Sequence, residues 1–251
     1  MNNIMVTNGD ISNTRDNKDF STIVNINQLA ETKFVNLYDT EYADGSHYYT
    51  ASRRKKDNLK MLHPDEPTLP DAVSMFVIVI DSVFAQKGYM NLYQGIDKSC
   101  KLFLQKEFRH PMGSWGYSVP AGLIDKNDLA IPGMTRNGIL IHTAKRELRE
   151  ETGIDVDKQN YHFEYVLNPD AASSPGFTDE SNGIVCMICS AIGSSVLSHD
   201  ENEGSEHIGD YIFMDKSRAN ELLQDTSTPK SLMVTTDLLW FVAEQWKYQF
   251  R

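Results

Sequence analysis

The chain has 251 residues, of which 40% are hydrophobic, and its formal net charge at pH 7 is −11. That length allows one large domain, or one domain with an N-terminal addition, and the apolar content is enough for a hydrophobic core. The acidic excess argues against nucleic acid as the main partner, because phosphate backbones are bound chiefly through lysine and arginine. A small anionic substrate stays compatible, since metal ions and a few local arginines can reverse the field at a site.

The N-terminal stretch and the apolar runs bear on location. Residues 1–19 are rich in asparagine and aspartate, which predicts a disordered or loosely held tail. Residues 1–20 contain no apolar segment of the kind that a signal peptide needs, and no apolar run approaches the roughly 18 residues of a membrane helix. We therefore expect no membrane segment and a soluble, reducing, cytoplasmic setting.

Three cysteines, Cys100, Cys186 and Cys189, cannot all pair within one chain. The last two have C-x-x-C spacing, but they lie in the apolar run 183–189, which is typical of a buried strand. No second pair of cysteines or histidines follows nearby. We expect these thiols to pack in the core and to bind no zinc.

The predicted elements begin with a hairpin, in which segments 34–38 and 47–51 flank the turn residues Asp44 and Gly45. A linker is predicted at 66–70, and strands then alternate with helices in an α+β pattern. The sequence thus predicts a β extension over 20–70 and a main domain over 71–251. The predicted strands are 73–80, 101–108, 163–167, 183–191 and 211–214, and the predicted helices are 140–152, 217–224 and 235–248.

Residues 146–154, which read R-E-L-R-E-E-T-G-I, carry the strongest signal. Glu147, Glu150 and Glu151 fall within about one helical turn, where residues three and four apart share a face and like charges repel. At roughly 6 Å and an effective dielectric near 20, each ionised pair costs on the order of 3 kcal/mol before solvent screening. The cluster favours Mg²⁺, which prefers carboxylate oxygens and commonly binds together with substrate phosphates. The alternative is a solvated face on which Arg146 pairs with Glu150.

The same nine residues match every specified position in the second half of the Nudix box, R-E-U-x-E-E-x-G-U with U aliphatic, so the chain resembles the Nudix hydrolases. Residues 120–125, P-A-G-L-I-D, resemble the start of the box in ADP-ribose pyrophosphatases. Gly122 and Arg146 are about ten residues further apart than in that family, and we expect the extra residues to lengthen a loop within 126–137. In strict register, the early glutamate of the box falls on Gly138.

Two further segments resemble the ADP-ribose pyrophosphatases. Residues 104–113, L-Q-K-E-F-R-H-P-M-G, resemble a strand end and loop whose arginine contacts the substrate phosphates or the terminal ribose. The resemblance gives that role to Arg109, the alternative being a surface cation beside Glu107. Residues 174–180, S-P-G-F-T-D-E, resemble a segment beside the ribose end of the substrate, which implies that Ser174 and Gly176 bind substrate.

The predicted hairpin also resembles part of these enzymes. Tyr49 stands where relatives carry an aromatic ring that stacks on adenine, and Arg53 matches a nearby arginine. Base stacking on an aromatic side chain contributes about 1 to 3 kcal/mol, although alternating tyrosines are also ordinary strand packing. In these enzymes the hairpin helps to build a dimer in which the partner subunit reaches the active site, so the resemblance implies a homodimer.

The resemblance implies the Nudix fold, an α+β fold with a mixed β-sheet sandwiched between α-helices, here with an N-terminal β-hairpin extension. It also implies two or three Mg²⁺ ions, with Mn²⁺ as the alternative, and Glu150 counts both as a metal ligand and as a catalytic residue. The metal would orient a water for in-line attack on phosphorus. The implied ligands are Glu147, Glu150, Glu151 and the backbone carbonyl of Ala121.

The general base is expected in the acidic loop 200–206, outside the helix of the box. Glu201, Glu203 and Glu206 are the candidates, and the spacing of Glu206 to the following strand best reproduces that of the family. Acidic loops are also commonly just solvated. Arg146 is expected to brace Glu150 or a neighbouring loop and not to contact substrate.

The implied function is hydrolysis of ADP-ribose to AMP and ribose 5-phosphate, or of a related nucleoside diphosphate sugar. A different possibility is a sensor that binds ADP-ribose without cleaving it, for which Gly138 at the early glutamate position is the main argument. Isopentenyl diphosphate isomerisation on the same fold needs a catalytic cysteine and a different box, and neither is evident.

Overall fold

The computed structural model describes residues 22–66, 68–80, 100–159, 161–190, 197 and 207–250, the last three of them by backbone only. The chain divides into two compact units: Met1–Glu66 with Ser174–Asp179, and Pro67–Ser173 with Glu180–Arg251. In the part of the chain that is described, no helix is both long enough and apolar enough to cross a membrane.

The first unit is built on a three-stranded antiparallel sheet, β1 (Ile23–Glu31), β2 (Asn36–Tyr42) and β3 (His47–Ser52). Strands β2 and β3 form the predicted hairpin, whose turn uses Gly45 at φ +80°. Strand β1 was not predicted, because Ile26 is its one buried residue and an almost fully exposed strand leaves no alternation to detect. Ile26, Tyr38 and Leu59 form a small core.

The second unit is built on a mixed sheet of seven described strands. Its main order is β10-β5-β4-β9-β8, and β6 and β7 pair with β5 and β4. The central strand β4 is buried along its whole length; it runs parallel to β9 and antiparallel to β5. The strands are β4 (Ala72–Ile80), β5 (Lys101–Arg109), β6 (Ser114–Ser118), β7 (Ala121–Leu123), β8 (His162–Ala172), β9 (Ser181–Ser190) and β10 (Ile208–Met214).

Four α-helices are described in this unit: α1 (Lys126–Leu129), α2 (Arg136–Thr152), α3 (Lys216–Gln224) and α4 (Leu232–Val242). Side chains on one face of the sheet pack with Leu140, Ala144 and Leu148 of α2, and those on the other face pack with α3 and α4. The sheet therefore lies between helices, as the sequence predicts for the fold class. The fold is α+β.

Successive residues of a strand point to opposite faces, and this decides the chemistry of the C-x-x-C pair. Cys186 packs in the core that α3 and α4 cover, whereas Cys189 packs in the core that α2 covers. Burial raises the pKa of each thiol to about 12. All three cysteines are buried and none forms a disulfide, and Cys186 and Cys189 pack in the core as predicted.

Asp237 on α4 is a buried carboxyl group. It is fully buried, and neither carboxyl oxygen has a hydrogen-bond partner among the described residues. Burial raises its pKa well above the ordinary value. Asp237→Leu should therefore raise the free energy of unfolding by about 2 kcal/mol at pH 7, because a buried polar group without a partner costs about 1 to 3 kcal/mol.

The pH dependence separates this effect from simple packing. The unfolded state releases the Asp237 proton above about pH 4, whereas the folded state retains it. The wild-type protein therefore loses stability through this group as pH rises, and the variant lacks that contribution. Urea titrations from pH 4 to pH 8 should therefore show a widening gap between the two proteins. A gap independent of pH would contradict the buried neutral carboxyl.

Candidate active site

Helix α2 carries the glutamate cluster and is bounded by two local signals. The Thr135 side chain accepts a hydrogen bond from the Gly138 N–H at the start of the helix, and Gly153, at φ +74°, ends it with an N–H bond to the Arg149 carbonyl. The helix begins four residues before the predicted start, because its first three residues, R-N-G, are polar or glycine and carry no apolar pattern. Its last turn holds Glu147, Glu150 and Glu151.

Arg146 is the electrostatic centre of this turn. Its guanidinium donates to Asp128 at 2.8 and 3.2 Å and to Glu150 at 2.9 Å, and it also lies 2.9 Å from a Glu147 oxygen. A further bond reaches the Leu123 carbonyl at 3.1 Å. These bonds, led by those to Asp128, raise the pKa of Arg146 against the opposing effect of burial. Arg146 thus braces Glu150 and the neighbouring segment, as predicted.

Asp128 is the residue that the sequence analysis missed. It lies on α1, which the prediction took for loop, and its carboxylate is 1% exposed. Burial would raise its pKa, but hydrogen bonds from Arg146 and from the Asp125 N–H outweigh burial and lower it. Counting forward from Gly122 gives G-x5-D, which resembles the spacing of the Nudix box with aspartate in place of glutamate. In the structure Asp128 is the buried acidic residue that pairs with Arg146.

Glu147 packs against β7 at Gly122. A Cβ atom at Gly122 would lie 1.9 Å from the Glu147 carboxyl carbon, so this glycine leaves the space that the carboxylate fills. Burial raises the pKa of Glu147 to about 7; Arg146 opposes the rise, and Glu150 adds to it. Burial of the Glu147 carboxylate thus outweighs its attraction to Arg146.

Gly122→Ala should displace the Glu147 carboxylate and weaken binding of Mn²⁺ or Mg²⁺ about tenfold, the lower end of the range for losing support around a metal ligand. Gly116→Ala is the matched control, since a Cβ there meets nothing within 4 Å. Calorimetric titration of both variants measures the effect. Equal metal affinity in the two variants would contradict the contact.

Glu151 lies on the buried side of the last turn, and 7% of its surface is exposed. Its carboxylate accepts a hydrogen bond from Gln105 Nε2 at 3.2 Å, and its backbone carbonyl accepts one from the Tyr211 hydroxyl. It borders a recess of about 280 Å³, part of it open to solvent. The lining residues are Gln105, Glu107, Arg109, Val119, Ala121, Glu151 and Ile208.

Arg109 stands at the end of β5 and lines the same recess. Its guanidinium lies 2.5 Å from a Glu107 oxygen and donates to the Ser118 hydroxyl at 3.0 Å. The structure thus places Arg109, Ala121 and Glu151 together, although they are 12 or more residues apart in sequence. The ion pair between Arg109 and Glu107, which the sequence analysis gave as the alternative role of Arg109, is also present.

The remaining substrate-binding candidates belong to the first unit. Segment 174–179 lies along β3: the Ala51 N–H donates to the Phe177 carbonyl at 3.0 Å, and the Tyr48 hydroxyl donates to the Gly176 carbonyl at 2.7 Å. Tyr49 is 55% exposed. Ser174 and Gly176 thereby share a unit with Tyr49 and Arg53. The candidate bases Glu201, Glu203 and Glu206 lie outside the described residues.

A second acidic group, whose members do not line the recess, brings the oxygens of Asp157 and Glu164 and a nitrogen of His162 within 4.8 Å of one another. Lys145 Nζ lies 2.7 Å from Asp157 and 2.8 Å from Glu164. The Lys145 ammonium group already pairs with both carboxylates and occupies the position between them that a cation would take. The box glutamates are the stronger candidates.

Comparison with known proteins agrees with the architecture. No family model and no curated sequence matches the chain. A solved structure described as an ADP compounds hydrolase is 17% identical, with 91% of this chain and 94% of that one covered and a TM-score of 0.50. The fold is therefore the Nudix fold.

Two further solved structures match over 70% of this chain at 12% identity. They are the E. coli dihydroneopterin triphosphate pyrophosphohydrolase, with 99% of that chain covered and a TM-score of 0.36, and a C. elegans Ap4A hydrolase binary complex, with 98% covered and a TM-score of 0.37.

Proposed function

We propose that this chain is a Nudix hydrolase that cleaves the pyrophosphate bond of ADP-ribose, or of a related nucleoside diphosphate sugar, to give AMP and a sugar phosphate. The observation that carries the proposal is the recess where Ala121, Glu151 and Arg109 meet. It combines hard oxygen ligands for a metal with a guanidinium suited to phosphate. The description of the solved structure with this fold as an ADP compounds hydrolase agrees with the proposal.

The donor set fits a divalent metal. Glu147, Glu150, Glu151 and the Ala121 carbonyl would hold Mg²⁺ or Mn²⁺ through oxygen atoms. The raised pKa of Glu147 supports this assignment, because it marks a buried carboxylate whose charge the protein alone does not fully compensate. When bound, the metal would neutralise the diphosphate and help to activate water for attack on phosphorus.

The side chains around the metal ligands would orient the substrate. Arg109 would exchange its pairing with Glu107 for the phosphate oxygens, and Glu206 would accept the proton of the attacking water. Tyr49, by stacking on adenine, and Arg53, Ser174 and Gly176 would bind the rest of the nucleotide. Each of these roles follows from the resemblance, and the grouping of the last four in one unit supports it.

We further propose a cytoplasmic homodimer that acts on a small molecule and uses no nucleic acid or membrane partner. The first unit offers the dimer interface. Its exposed apolar side chains are the support for this assignment, because exposed apolar surface is typical of association sites. They include Val24, Leu29, Phe34, Tyr48 and Tyr49.

The alternative of a non-catalytic sensor loses its main argument, since Asp128 supplies the acidic partner of Arg146 that Gly138 does not. The test is a phosphatase-coupled assay of phosphate release over ADP-ribose, other ADP-sugars, NADH and coenzyme substrates with Mg²⁺. We expect turnover that EDTA abolishes and Mg²⁺ or Mn²⁺ restores. Binding of ADP-ribose without turnover of any substrate would favour the sensor.

A further inference from the structure

Gln105 occupies an unusual position for an amide side chain. It lies in the middle of β5, 2% exposed, between Ser118 on β6 and Tyr211 on β10. Strand alternation puts it on the same face as Phe103, which packs with α2. A buried polar side chain in a central strand costs stability unless its hydrogen bonds are made. The hydrogen-bond partners of Gln105 therefore indicate its role.

Among the described residues, only one half of this amide has a partner. Nε2 donates to Glu151 Oε2 at 3.2 Å, whereas Oε1 is buried and accepts no hydrogen bond from any described residue. The orientation follows from chemistry, because an ionised carboxylate can only accept hydrogen bonds and the facing atom must be the donor. The amide is thus fixed at one end by Glu151 and unsatisfied at the other.

The unsatisfied oxygen belongs to a residue that lines the recess. A buried acceptor without a donor costs about 1 to 3 kcal/mol, a penalty that a donor entering the recess would remove. Glu107 and Glu151, as carboxylates, can supply no donor, and the Arg109 guanidinium is engaged by Glu107 and Ser118. The natural donor is an O–H group brought by the ligand.

We propose that Gln105 is a positioning residue that holds the Glu151 carboxylate for the metal through Nε2, and accepts through Oε1 a hydrogen bond from an O–H group that enters the recess with metal or substrate. That group is either a water accompanying the cation or a hydroxyl of the substrate. The inference rests on the proposed function for its ligands. It assigns to a strand residue outside the Nudix box a part in metal affinity.

The test compares Gln105→Met, which keeps a similar volume and removes both hydrogen bonds, with wild type and with Asp237→Leu. The latter also removes buried, unpartnered oxygens, but from the opposite core, so it controls for changes in stability. Mn²⁺ affinity is measured by electron paramagnetic resonance without nucleotide. The Glu151→Gln variant serves as the reference, and only the Mn²⁺ binding that this variant lacks is assigned to the site. Unfolding temperatures are recorded in parallel.

We expect Gln105→Met to raise the Mn²⁺ Kd at least tenfold, in the range seen for residues that orient metal ligands, while Asp237→Leu leaves it unchanged. The two sources of the O–H group are separated by measuring the effect of Gln105→Met twice, on the Mn²⁺ Kd without nucleotide and on the ADP-ribose Kd at saturating Mn²⁺. An equal loss in the two measurements identifies a water. A larger loss for ADP-ribose identifies a substrate hydroxyl.

A Mn²⁺ Kd within twofold of wild type in Gln105→Met would overturn the inference, and so would a Kd change matched by Asp237→Leu. These outcomes are independent of the proposed function. Loss of Mn²⁺ affinity in a protein that hydrolyses no diphosphate would leave the inference standing and reject the enzyme. If the wild-type protein hydrolyses a diphosphate and Gln105→Met leaves the Mn²⁺ affinity unaltered, the enzyme stands and the inference about Gln105 is rejected.

Discussion

Replacing Glu151 with glutamine is expected to lower kcat for diphosphate hydrolysis by about 10³-fold, which corresponds to about 4 kcal/mol in activation free energy. The substitution removes one negative charge from the metal ligands but keeps the shape of the side chain. An amide oxygen at this position can still accept the hydrogen bond from Gln105. The loss should therefore reflect metal binding and charge stabilisation, and the fold should be retained.

Glu221→Gln is the matched control, because Glu221 is exposed on α3 and its carboxylate pairs with Arg218 at the surface. Surface pairs of this kind contribute at most about 1 kcal/mol, so its kcat should equal that of wild type. The measurement is phosphate release at saturating Mg²⁺, with circular dichroism to verify folding. A Glu151→Gln enzyme within threefold of wild type would reject the metal site.

The elements that the sequence predicts best are those with a strong pattern. Strand β4 is apolar at every position but Ser74, and the turn at Gly45 has a residue suited to positive φ, so both were located closely. Strands β6 and β7 were missed. They are three to five residues long and partly exposed, and they are recognisable only by their pairing with β5 and β4.

The site likewise combines features that consecutive residues specify with contacts that only the folded chain forms. The last turn of α2 is specified by consecutive residues and by Gly153, so its glutamates were identified directly. Asp128 lies 18 residues before Arg146, and only the folded chain brings the two to 2.8 Å. Gln105 lies 46 residues from Glu151, and an isolated glutamine in a strand has no sequence signature. Contacts formed across the sheet were thus beyond prediction from one sequence.

Asp128→Asn should lower the free energy of unfolding by about 3 kcal/mol at pH 7. Breaking a buried ion pair by changing one partner costs about 3 to 5 kcal/mol, and the lower value applies because Arg146 keeps Glu147 and Glu150. The variant should also bind Mn²⁺ more weakly, because Arg146 then draws more strongly on those two carboxylates. Urea unfolding and metal titration measure the two effects.

The dependence on pH provides the decisive comparison. The lowered pKa of Asp128 means that its contribution to stability is fully present above the unfolded pKa, near 3.8, and is lost as pH falls through the folded value. Wild type and Asp128→Asn should therefore converge in stability only below about pH 4. Asp210→Asn, which removes an 83% exposed carboxylate 3.8 Å from Lys106, should match wild type throughout. Equal destabilisation by both substitutions would show that Asp128 does not brace Arg146.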